Sequence, residues 1–434
     1  MDKMADVLGR AGAWCGQNKY LSAIKNAFQN FMPLTIAGAI GVLWCNVLVN
    51  ESTGLGIFFK PIMALEFLNP AFQAVNFCTI SCITVGITLG IAQEIGVWNM
   101  GAERAGYIPG LVGLAAWLSV TNTSHMVEGA KEAFTGIAGN ELGATGLFTG
   151  MIIGVLSVEL FCFFEKQDAL KIKMPEQVPP GVARAFEVLV PATITLIITA
   201  CIGSACYNLT GLYLNDVIKN GIQGPLGAVG ATIPGVMIIY LVIMLFWLVG
   251  IHGNNMLSAV KEALFTPLAL ENVEKFNKGE KPTNIINMYA LQMWGEFGGS
   301  GVTIGLVIAI MIFGKREDNK AIATLSLVPG LFNINETVTF GIPMVLNPIL
   351  GIPFVVAPLV TIIIGYVLTV IGFCPVACLT VPWTTPPIVF GFLACGANVM
   401  GAVTQAILIV VSTVIYVPLL ISYEKYQNKQ AAEA

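Results

Sequence analysis

Charge is what this sequence has least of: 11% of its 434 residues are Asp, Glu, Lys or Arg, and 56% are hydrophobic. An ordinary soluble domain carries about 25% charged residues. A chain so composed cannot cover itself for water, which excludes an ordinary soluble enzyme and leaves one integral membrane unit with room for roughly ten spans of about 20 residues. A surplus of positive charge is also absent, the net charge being −4. Without a basic field, a nucleic acid partner is excluded. Histidine is nearly absent, with His125 and His252 the only two, so the ten cysteines have little help in building a metal site. Cys78/Cys82 and Cys374/Cys378 stand four residues apart, the spacing of one helix face, and that raises a metal or redox reading. Small apolar packing is the role free cysteine more commonly fills, and it is the reading adopted here, with no metal and no cofactor expected.

What is present is a series of charge-free stretches, at 27–50, 71–93, 142–157, 188–215, 221–260, 297–313 and from 341 to 395 and beyond, with a shorter one at 106–120. The two longest exceed a single bilayer crossing and must fold back at their Pro and Gly positions. Met4, Val7, Leu8 and Ala11 recur at helical spacing among Lys3, Arg10, Lys19 and Lys25. That pattern reads as an amphipathic interfacial helix rather than a signal peptide, which needs a continuous apolar core. Arg104, then Lys166, Lys171, Lys173 and Arg184, fall on loops sharing a side with that N-terminus, while the opposite loops hold Lys60 and Lys131. By the positive-inside rule the richer side, and the N-terminus with it, is cytoplasmic.

The one shift in composition is 164–191, with charges at Glu165, Lys166, Asp168, Lys171, Lys173, Glu176, Arg184 and Glu187 and prolines at Pro175, Pro179, Pro180 and Pro191. It reads as a cytoplasmic linker followed by a surface helix presenting Val178, Val182 and Phe186 on one face. The chain then divides into an N-terminal membrane half, 1–190, a connecting span and amphipathic helix, 191–224, and a C-terminal half, 225–434. The second amphipathic candidate sets Leu214, Val217, Ile218 and Ile222 against Asp216 and Lys219.

Function concentrates where polar groups enter apolar segments, because a charge at mid-bilayer costs at least about 2.5–3.5 kcal/mol. Four such places lie in the C-terminal half. In Gly250-Ile251-His252-Gly253-Asn254-Asn255 a lone histidine and two amides interrupt a long apolar run; such a histidine is either a satisfied structural residue or a ligand-binding one. In Trp294-Gly295-Glu296-Phe297-Gly298-Gly299-Ser300-Gly301 the glycines permit close approach of a ligand or of another helix, and Glu296 can pair with a neighbouring helix or touch a solute. They are no phosphate loop, since its lysine and spacing are missing. Asn333-Ile334-Asn335-Glu336-Thr337, followed by Gly341-Ile342-Pro343 and Asn347-Pro348, sets a carboxylate among helix breakers, as transporters do at midplane sites. Val381-Pro382-Trp383-Thr384-Thr385-Pro386-Pro387 offers an aromatic that can stack on a sugar face or anchor at the membrane interface.

In this order the motifs resemble those of the lactose/cellobiose family of phosphotransferase-system permeases, the membrane subunit IIC, and are similar to its diacetylchitobiose and cellobiose permeases. The residues carrying the resemblance are Met32-Pro33-Leu34-Thr35-Ile36-Ala37-Gly38, Lys173-Met174-Pro175 with Val178-Pro179 and Arg184, Gly250-Ile251-His252-Gly253, Thr266-Pro267 with Leu270-Glu271-Asn272, Gly298-Gly299-Ser300-Gly301, Asn335-Glu336 and Pro382-Trp383-Thr384. The resemblance implies an all-α polytopic protein of about ten transmembrane helices with two re-entrant hairpins. It further implies a homodimer in the bacterial inner (cytoplasmic) membrane, whose N-terminal half dimerises and whose C-terminal half carries the sugar. The substrate class implied is a β-linked disaccharide such as cellobiose, diacetylchitobiose or lactose. His252 and Glu336 would meet the hydroxyl to be phosphorylated, Trp383 would lie beside the sugar, and Gly253, Asn254, Gly299 and Asn335 would complete the binding site. Asn254-Asn255 and Glu296 are where the family is expected to vary. The polar stretches 164–191 and 271–284 are too short for a soluble phosphocarrier domain, so IIB and IIA subunits are expected in trans and no intrinsic catalysis in this chain. The competing readings are a proton-coupled sugar symporter, with Glu336 and His252 carrying the proton, and an intramembrane enzyme, for which no nucleophile stands beside His252.

Overall fold

The structure, a computed structural model, describes residues 10, 13–14, 17–51, 56, 59–125, 134–175, 177–225, 230–342 and 344–433. The amphipathic positions Met4, Val7, Leu8 and Ala11, together with Lys3, Lys131, Glu176 and Pro343, lie outside them. The chain is 77% helical, as the low charge and long apolar runs require, and a two-residue antiparallel pair joins Ser124–His125 to Phe134–Thr135. Among the described residues five helices are long and apolar enough to cross a membrane: Lys19–Leu48, Ala144–Glu165, Pro180–Thr210, Gly351–Val370 and Val399–Gln430. Two bent pairs, Lys60–Ser81 with Ile83–Met100 and Met288–Val302 with Ile304–Phe313, raise the number to seven. This is a helical membrane protein.

The chain forms two compact units. One comprises Gln17–Gly38 and Val75–Ala228. Its centre is α1 (Ile83–Met100), α2 (Ile108–Val120) and α3 (Ala144–Glu165), against which α4 (Pro180–Thr210) packs. Small residues let these backbones approach: a Cβ on Gly113 would collide with Ala92, and one on Gly150 with Thr88. At one end of this bundle Arg104 and Arg184 share the buried Glu165 carboxylate at 2.9 and 2.8 Å, and both also reach Glu187. Lys19 pairs with Glu159 at 2.6 Å.

Three sequence expectations are corrected here. No separate surface helix precedes the span at 188: Pro180 opens α4 at a position where a missing N–H costs nothing, and the helix runs unbroken past Pro191 to Thr210. Val178 lies before that helix, not on a face shared with Val182 and Phe186. Leu214–Ile218 is helical, as its pattern suggests, but Ile222 falls in a wider π turn, Lys219–Gln223, where the helical register changes. Nor do the cysteine pairs mark helix faces. Cys78 sits in a π turn with Cys82 at the bend after it, and Cys374 and Cys378 are buried in non-helical backbone.

The other unit gathers Ala39–Ala74 and Val229–Ala434, with Met1–Gly16. It contains α5 (Ile233–Leu248), α6 (Gly253–Met256), α7 (Ser258–Asn277), α8 (Met288–Gly295), α9 (Ile304–Phe313), α10 (Glu317–Leu331), α11 (Glu336–Gly341), α12 (Gly351–Val370), α13 (Val389–Ala394) and α14 (Val399–Glu433). Its core includes Tyr240, Trp247, Trp294, Phe297, Phe354 and Tyr416. The apolar run from 341 does fold back. After α12 the chain is irregular from 371 to 388 before returning through α13. Irregular backbone away from water needs internal partners. Asn272 and Asn287 both donate to the Ala377 carbonyl, at 3.0 and 3.1 Å, while Cys378 and Leu379 donate their N–H groups to the Ala394 carbonyl.

Candidate functional site

Four interruptions of helical structure converge within the second unit. The first follows α5. Gly250, at φ +82°, turns the chain so that His252 precedes α6, and His252 Nδ1 accepts the Asn255 N–H at 3.2 Å. With Nδ1 occupied as an acceptor, the neutral ring carries its proton on Nε2 and can donate from there. Trp247, nearly fully buried, backs the imidazole with ring centroids 4.4 Å apart. Gly253 is confined by the Ile243 carbonyl, which a Cβ would strike.

The second interruption is the glycine loop between α8 and α9, where the chain bends by 59°. Gly299 adopts φ +86° and ψ −173°, backbone open to glycine alone, and a Cβ there would lie 2.7 Å from Asn335. The loop is tied from several sides. Asn254 Nδ2 donates to Ser300 Oγ at 2.9 Å, Asn335 Nδ2 to the Ser300 carbonyl at 2.8 Å, and Tyr416 to the Gly301 carbonyl at 2.7 Å. Asn335 is buried and so spends its amide on the loop.

The third interruption, between α10 and α11, presents Glu336 at the first position of α11, where the helix dipole favours a negative charge. Its Oε1 stands 3.9 Å from His252 Nε2, with both side chains partly exposed, at 48% and 38%. Residues 84 positions apart in the numbering are thus neighbours in space. The fourth interruption is the proline-bounded turn bearing Trp383, whose ring is exposed and whose carbonyl accepts from Asn333 Nδ2.

The sequence left Glu296 open between two roles, and the structure pairs it: Lys261 Nζ and the Tyr240 hydroxyl both donate to Glu296 Oε1, the latter at 2.7 Å. Lys261 and Tyr240 were not anticipated. Lys261 reads in sequence as the charge that ends an apolar run, yet its side chain is 7% exposed. The contact of Trp247 with His252 was missed too, although their five-residue separation in one interrupted run was a usable signal.

Geometry thus defines a helical membrane protein with a polar site built on broken helices in one unit. The family description "Phosphotransferase system, EIIC" matches residues 25–358, and the chain belongs to that family. Among its relatives, the oligo-beta-mannoside-specific EIIC component of Bacillus subtilis is 32% identical over 98% of this chain and 94% of its own length. The cellobiose-specific EIIC component of Lactococcus lactis is 29% identical over 98% of each. The solved structure of ChbC, the IIC component of an N,N′-diacetylchitobiose-specific phosphotransferase system, superposes with a TM-score of 0.88 at 29% identity and 97% coverage of both chains. The resemblance carried by the sequence motifs is therefore correct at the level of the family.

Proposed function

We propose that this chain is the sugar permease of a phosphoenolpyruvate-dependent phosphotransferase system and translocates a β-linked disaccharide for phosphorylation by a IIB subunit. The approach of His252 Nε2 to Glu336 Oε1 at 3.9 Å carries this reading. An oxygen atom can sit about 2.8 Å from both, so one sugar hydroxyl can accept from the imidazole N–H while donating to the carboxylate. Trp383 supplies an exposed aromatic face nearby in the same unit, and Gly253, Asn254, Gly299 and Asn335 shape and hold the loops around that hydroxyl. The relatives named for cellobiose, oligo-β-mannosides and N,N′-diacetylchitobiose share the β-linkage, which supports the substrate class.

The donor is a phosphocysteine on IIB, itself charged through IIA. The S–P bond breaks as the sugar oxygen bonds phosphorus, and the hydroxyl proton passes to the departing cysteine thiolate, through a loose transition state in which positioning matters more than base strength. Glu336 therefore orients the hydroxyl, and after transfer its charge repels the new phosphate and favours release on the side of transfer. We place the protein in the bacterial inner membrane as a homodimer of about ten spans with re-entrant hairpins, its N-terminus cytoplasmic. In this reading 1–190 forms the dimerisation scaffold and 225–434 the transport half. The ion-pair end of the first unit, where Lys19, Arg104 and Arg184 gather, supports the orientation because positive charge stays on the cytoplasmic side.

Proteoliposomes holding the purified chain test the proposal. Labelled cellobiose should equilibrate without responding to a pH gradient, and sugar phosphate should form only when phosphorylated IIB is added. Uphill accumulation driven by a pH gradient with no IIB present would establish a proton-coupled symporter instead.

A further inference from the structure

Asn333 stands where three segments of the proposed site come together, and its side chain does what its backbone does not require. It occupies the left-handed region at φ +62°, just past the end of α10. The Ile334 N–H reaches back to the Pro329 carbonyl and the Asn333 N–H to the Gly330 carbonyl, both at 3.0 Å, the paired closure that ends many helices. Glycine fits that position with least strain and asparagine is the usual second choice. Here the amide is fully used. Its Oδ1 accepts the Gly298 N–H at 2.6 Å, and its Nδ2 donates to the carbonyls of Trp383 and, at 3.1 Å, of Thr385. One side chain thereby ties the glycine loop and the tryptophan turn to the turn that leads into Glu336.

We propose that Asn333 is a positioning residue that holds Trp383 at a fixed distance from Glu336, so that the aromatic face and the carboxylate engage one sugar together. The inference rests on the sugar-site reading above. The Trp383 turn is bounded by prolines, which donate no hydrogen bonds to fix it, and the tryptophan ring is exposed, so backbone anchoring must set where the ring lies. The Asn333 amide supplies that anchor twice, at the first residue of the pair Trp383 and Thr385 and at the last.

Two substitutions separate this role from a merely structural one. Asn333→Asp keeps the left-handed tolerance and the acceptor for Gly298 but removes both donors to the Trp383 turn. Asn333→Gly suits the backbone best and removes the whole clasp, so it stays testable if the half-buried carboxylate of the first variant, facing two carbonyls, prevents folding. Cellobiose binding to the full purified chain in detergent, measured by calorimetry, should weaken about 10-fold in either variant, the size expected for losing the contact of one displaced aromatic ring with the sugar. In a Trp383→Ala background the same substitutions should cause no further loss, because the residue they position is gone. In a Glu336→Gln background they should still weaken binding.

Equal losses from Asn333→Gly with and without Trp383 would overturn the proposal, as would unchanged affinity in both Asn333 variants while Trp383→Ala weakens binding; the sugar-site reading would survive either. If Trp383→Ala itself binds cellobiose as tightly as the parent, the inference fails together with the place given to Trp383 in that site.

Discussion

Replacing Glu296 by Gln removes the charge that Lys261 faces while keeping the shape of the side chain. In the structure Lys261 Nζ donates to Glu296 Oε1, the Tyr240 hydroxyl donates to the same oxygen at 2.7 Å, and the ammonium also lies 5.6 Å from the Tyr240 ring centroid. The two charged side chains are 7% and 17% exposed. Breaking a buried pair from one side costs about 3–5 kcal/mol, because the remaining charge is left uncompensated away from water. Glu296→Gln and Lys261→Met should each destabilise the protein by about that amount. The double variant should return close to the parent, since replacing both ions together is often neutral. Unfolding of the four proteins in one detergent, followed by tryptophan fluorescence, gives the complete cycle. Losses in the double variant equal to the sum of the two single losses would refute the pairing, and so would a Lys261→Met protein as stable as the parent.

Other consequences are open to test. Gly299→Ala forces a Cβ against Asn335 in a backbone region open to glycine alone, and should cost about 1–3 kcal/mol of stability and weaken cellobiose binding with it. Unchanged melting and binding would contradict the packing described. Glu424, buried near the end of α14, accepts the backbone N–H groups of Lys315 and Arg316 and the Asn319 amide. Glu424→Ala should lower stability by at least about 1–3 kcal/mol, the cost of one orphaned buried donor, and leave sugar affinity intact. A cysteine placed at the exposed Lys173 should resist a membrane-impermeant thiol reagent in intact cells and react in inverted vesicles, as the positive-inside orientation requires.

The polar intrusions were legible because their signal is local: His252 and Glu336 are conspicuous against apolar neighbours, and the glycine and proline punctuation around them announces broken helices. The same local rule misled at Lys261, where a charge at the edge of an apolar run looks like the membrane boundary and only the partner Glu296, far along the chain, shows otherwise. It misled again at Pro180 and Pro191. Proline breaks helices in water, but at the first position of α4 it is favoured, and inside a membrane helix the freed carbonyls find other partners. The role of Asn333 could not be read at all. Its motif was visible, but its three partners come from two other loops, and no spacing in the sequence encodes that convergence.

Whether His252 and Glu336 act on one sugar hydroxyl is tested most directly by binding calorimetry on the purified chain with cellobiose, alongside Glu336→Gln and His252→Ala. Glu336→Gln should weaken binding by about 1.5–3 kcal/mol, roughly 10- to 150-fold, the range for a hydrogen bond to a charged group. His252→Ala should also lose affinity, with unfolding midpoints near the parent's in both variants. Folded variants that bind cellobiose, lactose and diacetylchitobiose as tightly as the parent would contradict the assignment and leave the pair a structural contact.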